Sequence, residues 1–292
     1  MNHDYSLETK LKKEAPDLHR LYCDSVLACQ NMLLRYKAFF PNFTDHTVLH
    51  SLDVIEFCNG IIGDQVEQLN ADEIFVLLMA AYLHDVGMGI DLNSFEAYLH
   101  EIPSAAAYRA ANPDEDIPNI IRMFHNEFSG CFIRRYAPFF EMPSDAHLFA
   151  IVQVSRGHRK TDLYDEAEYP AELPVPNGNV LHLPYLSALI RLADELDIAV
   201  YRNIKFLYDA SKMTKKNDII AFGTHEAIRD VIPEEDCFRM IIREPKDPIV
   251  REGLDELIVK LGITLAECVD VTAKRTPFTI SQTRIVIEKE RV

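Results

Sequence analysis

The strongest pattern in the chain is a helix-length apolar stretch over residues 71–90, ADEIFVLLMAAYLHDVGMGI. Its alanine, leucine and methionine residues favour a helix, and Gly87 and Gly89 are expected to end that helix. The stretch places His84 and Asp85 side by side just before the glycines. A buried carboxylate must be paired or bound to a metal, because an isolated buried charge is strongly unfavourable. Imidazole beside carboxylate suits Mn, Fe, Zn or similar ions, so this helix end is predicted to belong to a metal site.

Apolar residues recur at helical spacing on the N-terminal side of this stretch as well. Residues 6–39 are predicted to form one or two amphipathic helices. A helix capped by Thr44 or Asp45 is expected next, and its apolar stripe carries His46 and His50 one turn apart. Two histidines are therefore predicted to lie on one apolar face before the central helix.

Three later helices each carry a further polar residue of the same kind. His125 is expected in the middle of a helix over residues 118–140, and His158 at the end of a helix capped by Ser144. Asp194 lies in a third apolar helix, where an ordinary salt bridge would also explain it. One lone histidine on an apolar face is usually a core residue, but one shared metal centre explains several such residues better than separate buried partners do. The candidate ligands are His50, His84, Asp85, His125, His158 and Asp194.

The part of the chain after His158 differs from the helical part before it in composition and in its hydrophobic pattern. The stretch from His158 to Asn179 is rich in proline and acidic residues, which predicts an ordered loop over the site or a flexible lid. After residue 202, NIKFLYDA, DIIAFGT, CFRMIIRE and TRIVIEKE are predicted to be strands, with a helix before the last of them. The predicted fold is therefore mainly α with a small C-terminal α+β module.

Composition and charge narrow the classes of function. Among the 292 residues, 46 are acidic and 30 basic, for a net charge of −16, which argues against broad binding to nucleic acid. The negative net charge does not exclude a small anionic substrate, because nearby cations or a metal can outweigh the electrostatic field of the whole protein. No apolar stretch approaches about 18 uninterrupted residues, so no membrane span is expected. The N-terminus lacks a signal-peptide core, and the six scattered cysteines include no CxxC, which together predict a cytoplasmic protein.

The order of the candidate ligands resembles the HD-domain superfamily of metal-dependent phosphohydrolases. The matching segments are HSLDV, AAYLHDVGMG, IRMFHNEFS, RGHRK and LIRLADELDI, over about residues 40–205. The IRxxHxExS pattern is similar to HD domains found beside ATPase-like modules in bacterial proteins. The resemblance implies an HD helical bundle over 41–205, and the patterns on either side of it predict N-terminal helices over 1–40 packed on the bundle and a small α+β domain over 206–292.

The resemblance also implies a ligand set and a cofactor. The first ion would be held by His50, His84, Asp85 and Asp194. Asp85 would bridge to a second ion held by His125 and His158. The expected cofactor is one or two divalent ions of Mn, Fe, Zn, Ni or Co, with Mg also admissible. Two such ions bind a phosphate, lower the pKa of a bridging water and stabilise the leaving oxygen.

Catalysis is assigned on this basis to Asp85, His125 and Lys160. Lys160, Arg159 and Arg122 lie beside proposed ligands in the sequence. Each of these three cations either steadies phosphate oxygens or is an ordinary surface residue.

The chain departs from its relatives at two places. Met88 stands where many two-metal members carry the lysine of HDxGK, and the GYP signature of cyclic-dinucleotide phosphodiesterases is absent, so cyclic-di-GMP is not specifically predicted. Either His46 or His50 is the first ligand. His50 is preferred, because HSxxV is the form that the superfamily shows. His46 would then support a ligand or the substrate, or belong to the core.

The predicted function is hydrolysis of a phosphoester or phosphoanhydride in a small, nucleotide-type substrate by a metal-activated water. One alternative is a nucleotide-sensing HD-fold module with little turnover. Another is a single-strand nuclease, which the charge and the lack of a basic, aromatic-interleaved stripe disfavour. The C-terminal module is expected to be a packing appendage, with homo-oligomerisation, closure over the site and partner binding left open.

Overall fold

The structure, a computed structural model, describes residues 6–40, 46–199 and 216–290. The described helices are α1 (Ser6–Glu14), α2 (Pro16–Leu34), α3 (Tyr36–Phe39), α4 (Val48–Ile62), α5 (Ala71–Leu83), α6 (Phe95–Leu99), α7 (Pro103–Ala111), α8 (Ile117–Met123), α9 (His125–Arg135), α10 (Asp145–Gly157), α11 (Leu183–Leu196), α12 (Lys216–Ala227) and α13 (Pro248–Arg275). The described strands are β1 (Leu173–Pro174), β2 (Val180–Leu181), β3 (Ile228–Pro233), β4 (Cys237–Ile242) and β5 (Arg284–Lys289). The predicted class, mainly α with a small α+β part, is confirmed.

Helix α5 is the centre of the bundle. Its N-terminus is closed by a capping box in which the Asn70 side chain accepts from the Glu73 amide and the Glu73 carboxylate accepts from the Asn70 amide. Every residue from Asp72 to Leu83 is buried, because α2, α4, α10 and α11 pack around the helix. An apolar surface on all sides requires such enclosure, so the packing follows from the sequence of α5.

Helix α4 begins later than the sequence predicts. Thr44 and Asp45, the predicted caps, lie outside the described residues. The N-cap is Thr47, whose side chain accepts a hydrogen bond from the Leu49 amide. His50 therefore lies in the first turn of α4, whereas His46 precedes the helix, and the prediction that both lie on one helical stripe is wrong.

The single helix predicted over residues 118–140 is also wrong, because the chain breaks at Phe124. That residue leaves helical geometry at φ −118° and ψ 19°, which separates α8 from α9. His125 is consequently the first residue of α9 rather than a mid-helix residue. The break brings the backbone of α9 against the turn after α5, where a Cβ on Gly87 would lie 2.4 Å from the His125 carbonyl oxygen. Glycine at position 87 permits this approach.

The segment after His158 is ordered by contacts at the far end of α5. Strands β1 and β2 form a short hairpin, and Asn177 and Asn179 at its tip donate to the Asp72 carboxylate at 2.8 and 2.6 Å. His147 also hydrogen-bonds Asp72, and these partners outweigh burial and lower the pKa of Asp72 to about 2. Twelve residues separate Asp72 from His84, or about 18 Å along the helix axis, so the hairpin tip lies away from the histidine end.

The C-terminal module is a three-stranded sheet covered by α12 and α13. Strand β3 pairs antiparallel with β4, and β4 pairs parallel with β5, which the crossover helix α13 makes possible. The predicted strands CFRMIIRE and TRIVIEKE and the helix between them are confirmed, whereas NIKFLYDA lies outside the described residues. DIIAFGT is not a strand but part of α12, and the strand β3 was not predicted.

Close helix packing explains why DIIAFGT is helical. A Cβ on Gly223 of α12 would lie 2.6 Å from a Val250 methyl group, and one on Gly253 of α13 would lie 2.3 Å from an Ile220 methyl group. The two glycines let α12 and α13 approach, so tertiary packing overrides the β-propensity of the isoleucines. The domain division at residues 205 and 206 stays a prediction, since that boundary falls outside the described residues.

No single helix in the described ranges is long and apolar enough to cross a membrane. Two neighbouring helical segments, Ala71–Gly89 and Leu92–Leu99, are bent by 86° relative to each other. Taken together, they meet the requirements of length and apolar composition for a membrane span, and no other property supports such a span.

Candidate metal centre

Five helix ends deliver the six predicted ligands to one place in the bundle. The first turn of α4, the end of α5, the start of α9, the end of α10 and the last turn of α11 meet there. Ser144 caps α10 as predicted, and that helix ends immediately before His158. Five of the six side chains are buried, and that of Asp194 is 18% exposed. The residues brought together are His50, His84, Asp85, His125, His158 and Asp194.

The Asp85 carboxylate lies between two groups of imidazoles. Its Oδ2 atom is 3.5 Å from Nε2 of His50 and 3.3 Å from Nε2 of His84. Its Oδ1 atom is 3.3 Å from Nε2 of His125 and 3.8 Å from Nε2 of His158. The donor atoms of each group lie close enough to share one metal ion, with Asp85 common to both groups. This arrangement can hold one ion on either side of the carboxylate.

Asp194 completes the first of the two groups. Its Oδ1 atom is 3.2 Å from Nε2 of His50 and 3.9 Å from Nε2 of His84. Burial alone would raise the pKa values of Asp85 and Asp194. The imidazoles, above all His84 for Asp85 and His50 for Asp194, instead hold both pKa values well below the ordinary range. Both carboxyl groups are therefore anionic at neutral pH, as metal ligands must be.

Backbone carbonyls orient three of the histidines. Nδ1 of His84 lies 3.0 Å from the Ala81 oxygen, Nδ1 of His125 lies 2.7 Å from the Arg122 oxygen, and Nδ1 of His158 lies 2.5 Å from the Ser155 oxygen. A carbonyl oxygen only accepts, so each Nδ1 carries a proton, and each Nε2 faces the centre as the nitrogen available to a metal. Hydrogen bonds of this kind are typical of histidines that bind metal.

The contact between His125 and His158 provides a further reason to expect a cation. Their Nε2 atoms lie 2.7 Å apart, and both are acceptors in the tautomers that the carbonyl contacts favour. Burial lowers the pKa of His125, and burial followed by the neighbouring imidazoles holds the pKa of His158 well below its ordinary value. Two neutral rings with facing lone pairs repel each other, whereas a metal ion between or beside them would satisfy both.

Asp197 supports His50, and the sequence reasoning missed this role. Its Oδ2 atom lies 2.6 Å from Nδ1 of His50, and the side chain is fully buried just past the end of α11. A carboxylate on Nδ1 fixes the ring orientation and raises the basicity of Nε2 as a ligand. The signal was present in LIRLADELDI, where a second aspartate follows Asp194 by three residues.

Ser129 is a second residue that the sequence reasoning missed. Its hydroxyl donates to the His84 carbonyl at 2.6 Å and accepts from the Gly87 amide at 2.9 Å. One side chain of α9 therefore ties both ends of the turn that carries Asp85. Neither the glycines nor the histidine motif indicates this contact, because it joins segments 42 to 45 residues apart.

His46 lies at the edge of the centre. Its Nε2 atom is 3.9 Å from Oδ2 of Asp85, and its ring packs against Tyr36 and His50 with centroids 5.4 and 5.6 Å away. His50 is nearer to the same carboxylate oxygen, at 3.5 Å, and is more deeply buried. His50 stays the predicted first ligand, with His46 beside it.

The three predicted cations differ in position. Arg159 and Lys160 are exposed and, with His158, are among the residues that line a cleft against α13. Arg122 is exposed, and its carbonyl orients His125. Their assignment to phosphate binding stays a prediction.

The comparisons with known proteins point to one family. The model of the HD-CE family matches residues 40–257, a range that contains all six candidate ligands. The searches of curated proteins and of solved structures returned no match.

Proposed function

The chain belongs to the HD-CE family, and we propose that it is a metal-dependent phosphohydrolase acting on a nucleotide-type phosphoester. The observation that carries the proposal is the Asp85 carboxylate, whose two oxygens face two separate pairs of imidazole nitrogens. Asp85, with His50 and His84 on one side and His125 and His158 on the other, would hold two cations, and a pair of cations supports phosphoester hydrolysis.

The charge of the donor set supports an anionic substrate. The four histidines are neutral as ligands, and Asp85 and Asp194 contribute two negative charges. Two divalent cations would leave the loaded centre positive, which attracts a phosphate despite the net charge of −16. When bound, the ions would polarise a phosphoryl oxygen and lower the pKa of a water.

The chain's own residues would then position the reacting groups. Asp85 would fix the two groups of imidazoles relative to each other. Because the histidines are buried, bulk water is excluded from the side of the centre on which they lie. The oxygen of the water would form a bond to phosphorus as the bond between phosphorus and the ester oxygen breaks. The departing ester oxygen would take up the proton that the water releases. Arg159 and Lys160 would contact phosphate oxygens from the cleft. The identity of the metal, the nucleotide and a cytoplasmic location belong to this proposal.

The test combines elemental mass spectrometry with a phosphate-release screen of nucleotides in the presence of Mn. We expect about two ions per chain, and we expect Asp85→Asn to lose both ions and the activity together. Asp72→Asn is the matched control, because it makes the same chemical change at the other end of α5 and should retain both ions. Full metal occupancy and unchanged turnover in Asp85→Asn would refute the proposal. Two bound ions without any phosphate release would favour the nucleotide-sensing alternative.

A further inference from the structure

A cluster of side chains that are able to bind a metal lies where α1 meets α2, outside the metal centre. Three groups of histidine, cysteine or carboxylate residues lie close enough to share an ion in the described part of the chain, and two of them are the halves of the centre around Asp85. The third consists of Glu8, His19 and Cys23, whose ligand atoms all lie within 4.8 Å of one another. None of these three residues belongs to the six candidate ligands of the centre, so the cluster needs an explanation of its own.

The packing of α1 and α2 on the bundle sets the positions of the three residues. The Leu7 amide at the start of α1 donates to the Asn59 side chain at 3.1 Å, and Leu7 and Leu11 are fully buried where α1 packs on α5. On α2, Tyr22 is buried, and its ring lies 5.7 Å from that of Tyr82 of α5, measured between centroids. The two helices are therefore held together by contacts that do not involve the cluster.

The Nε2 atom of His19 faces both of the other ligand atoms. It lies 3.1 Å from Oε1 of Glu8 and 3.7 Å from Sγ of Cys23. His19 and Cys23 are four residues apart on α2, a spacing that places them on one face of the helix. Zinc bonds of about 2.0–2.1 Å to nitrogen or oxygen and about 2.3 Å to sulfur, at tetrahedral angles, put neighbouring ligand atoms about 3.4–3.6 Å apart. The two observed distances lie close to these spacings, so one ion would contact all three atoms after small side-chain rotations.

The carboxylates near Cys23 disfavour a bare thiolate and would favour a bound cation. Burial, followed by the carboxylates of Glu8 and Asp24, raises the pKa of the Cys23 thiol, and Lys12 opposes this rise only in part. The thiol of the metal-free chain is therefore protonated at neutral pH. A divalent cation would reverse this balance, because the thiolate and the Glu8 carboxylate would both face the ion, and the thiol proton would pass to the solvent.

The cluster is accessible from solvent. All six cysteines lie in the described part of the chain, and Cys23 alone among them is partly exposed, whereas the other five are buried. The side chains of His19 and Glu8 are 16% and 36% exposed. This exposure gives an ion a path to the three ligands and leaves a fourth position for water. A thiolate with an imidazole suits zinc, whereas Mg, Ca and Mn prefer oxygen ligands.

We propose that Glu8, His19 and Cys23 bind one zinc ion, which links α1 to α2 at a site separate from the metal centre. The inference does not depend on the proposed function, since it requires no substrate and no residue of the centre. Three protein ligands rather than four leave the site open, so the zinc should exchange with solvent and be removed by a chelator. Because the ligands come from both helices, the bound ion would fasten α1 against α2.

The experiment uses the full, reduced chain with Co²⁺ as a spectroscopic substitute for zinc. A thiolate ligand gives a sulfur-to-cobalt charge-transfer band, and the candidate ligands of the centre include no sulfur, so this band reports on the cluster. The test variants are C23S, H19A and E8Q. The matched control is D24N, which also changes a carboxylate to an amide, one residue from Cys23, but at a side chain that pairs with Arg20. Alkylation followed by peptide mass spectrometry measures the accessibility of the Cys23 thiol in parallel.

We expect the band in the wild-type and D24N chains to saturate at one Co²⁺ per chain and to disappear when zinc is added. Zinc should also slow alkylation of Cys23 in the wild type but not in H19A. C23S should lose the band, and H19A and E8Q should weaken it.

Absence of the band in the wild type, or its retention in C23S, would overturn the inference. An unchanged band in both H19A and E8Q would overturn it too, because the sulfur would then bind without the other two ligands. Equal weakening in E8Q and D24N would show that Glu8 acts through its charge and not as a ligand, which would also overturn the three-residue site. Phosphate release should persist in C23S, and its absence from the wild-type chain would bear on the proposed function alone.

Discussion

Asp197→Asn isolates the contribution of the charge behind His50. The Asp197 carboxylate is fully buried, and its Oδ2 atom lies 2.6 Å from Nδ1 of His50. Asparagine retains an oxygen that accepts from Nδ1, so the ring orientation should persist while the negative charge is lost. Changes to such supporting residues reduce metal affinity by about 10–100-fold, which corresponds to about 1.4–2.8 kcal/mol. We expect the asparagine variant near the lower limit and Asp197→Ala, which also removes the hydrogen bond, near the upper one.

The assay is a calorimetric titration of the metal-free chain with Mn, in which two classes of site are resolved. Only the site formed by His50 and Asp194 should weaken, because His125 and His158 are oriented by backbone carbonyls instead. Asp72→Asn serves as the control, since its carboxylate lies at the opposite end of α5. Unchanged affinity in both Asp197 variants, or an equal loss at both sites, would refute the reasoning.

Three further perturbations probe other parts of the centre. His158→Ala should lose the second ion and retain the first, by elemental analysis; retention of both ions would show that His158 is structural. Gly87→Ala should lower both second-site occupancy and thermal stability, because its Cβ would lie 2.4 Å from the His125 carbonyl oxygen, whereas Gly262→Ala, which meets nothing within 4 Å, should stabilise α13 by up to about 1 kcal/mol. A normal melting temperature and full occupancy in Gly87→Ala would contradict that account. The metal-free chain should lose stability on acidification from pH 7 to 5, since the folded-state pKa values of His125 and His158 lie below their unfolded values and the unfolded state takes up protons first. A second loss should follow between about pH 4 and 2, to which Asp72, whose pKa is about 2, contributes together with Asp85 and Asp194, and melting curves of Asp72→Asn should show a smaller loss over that range.

Local sequence determined the helices that carry most of the candidate centre. The apolar surface of α5 on all sides requires burial, and the helix ends immediately before His84 and Asp85, ahead of the turn Val86–Gly89 that contains both glycines. The Ser144 cap likewise sets the start of α10, so that its end presents His158. The mainly α class and the set of residues that meet at the centre could be predicted because these signals lie within one helix and its caps.

Contacts between distant segments decided the remaining features. The packing of α9 against the Gly87 turn accompanies the break at Phe124 and makes His125 a helix-start residue, which a helical pattern over 118–140 does not reveal. Asp197 meets His50 across 147 residues, and the β1–β2 hairpin binds Asp72 across more than 100 residues. Helical spacing describes which residues share a face within one element, but not which elements meet. The sequence by itself determined the types of the candidate ligands and most of the helices that bear them. The tertiary structure decided the pairing of the candidate ligands around Asp85, the support of His50 by Asp197, and the cleft beside His158, because each depends on the close approach of segments that no local pattern links.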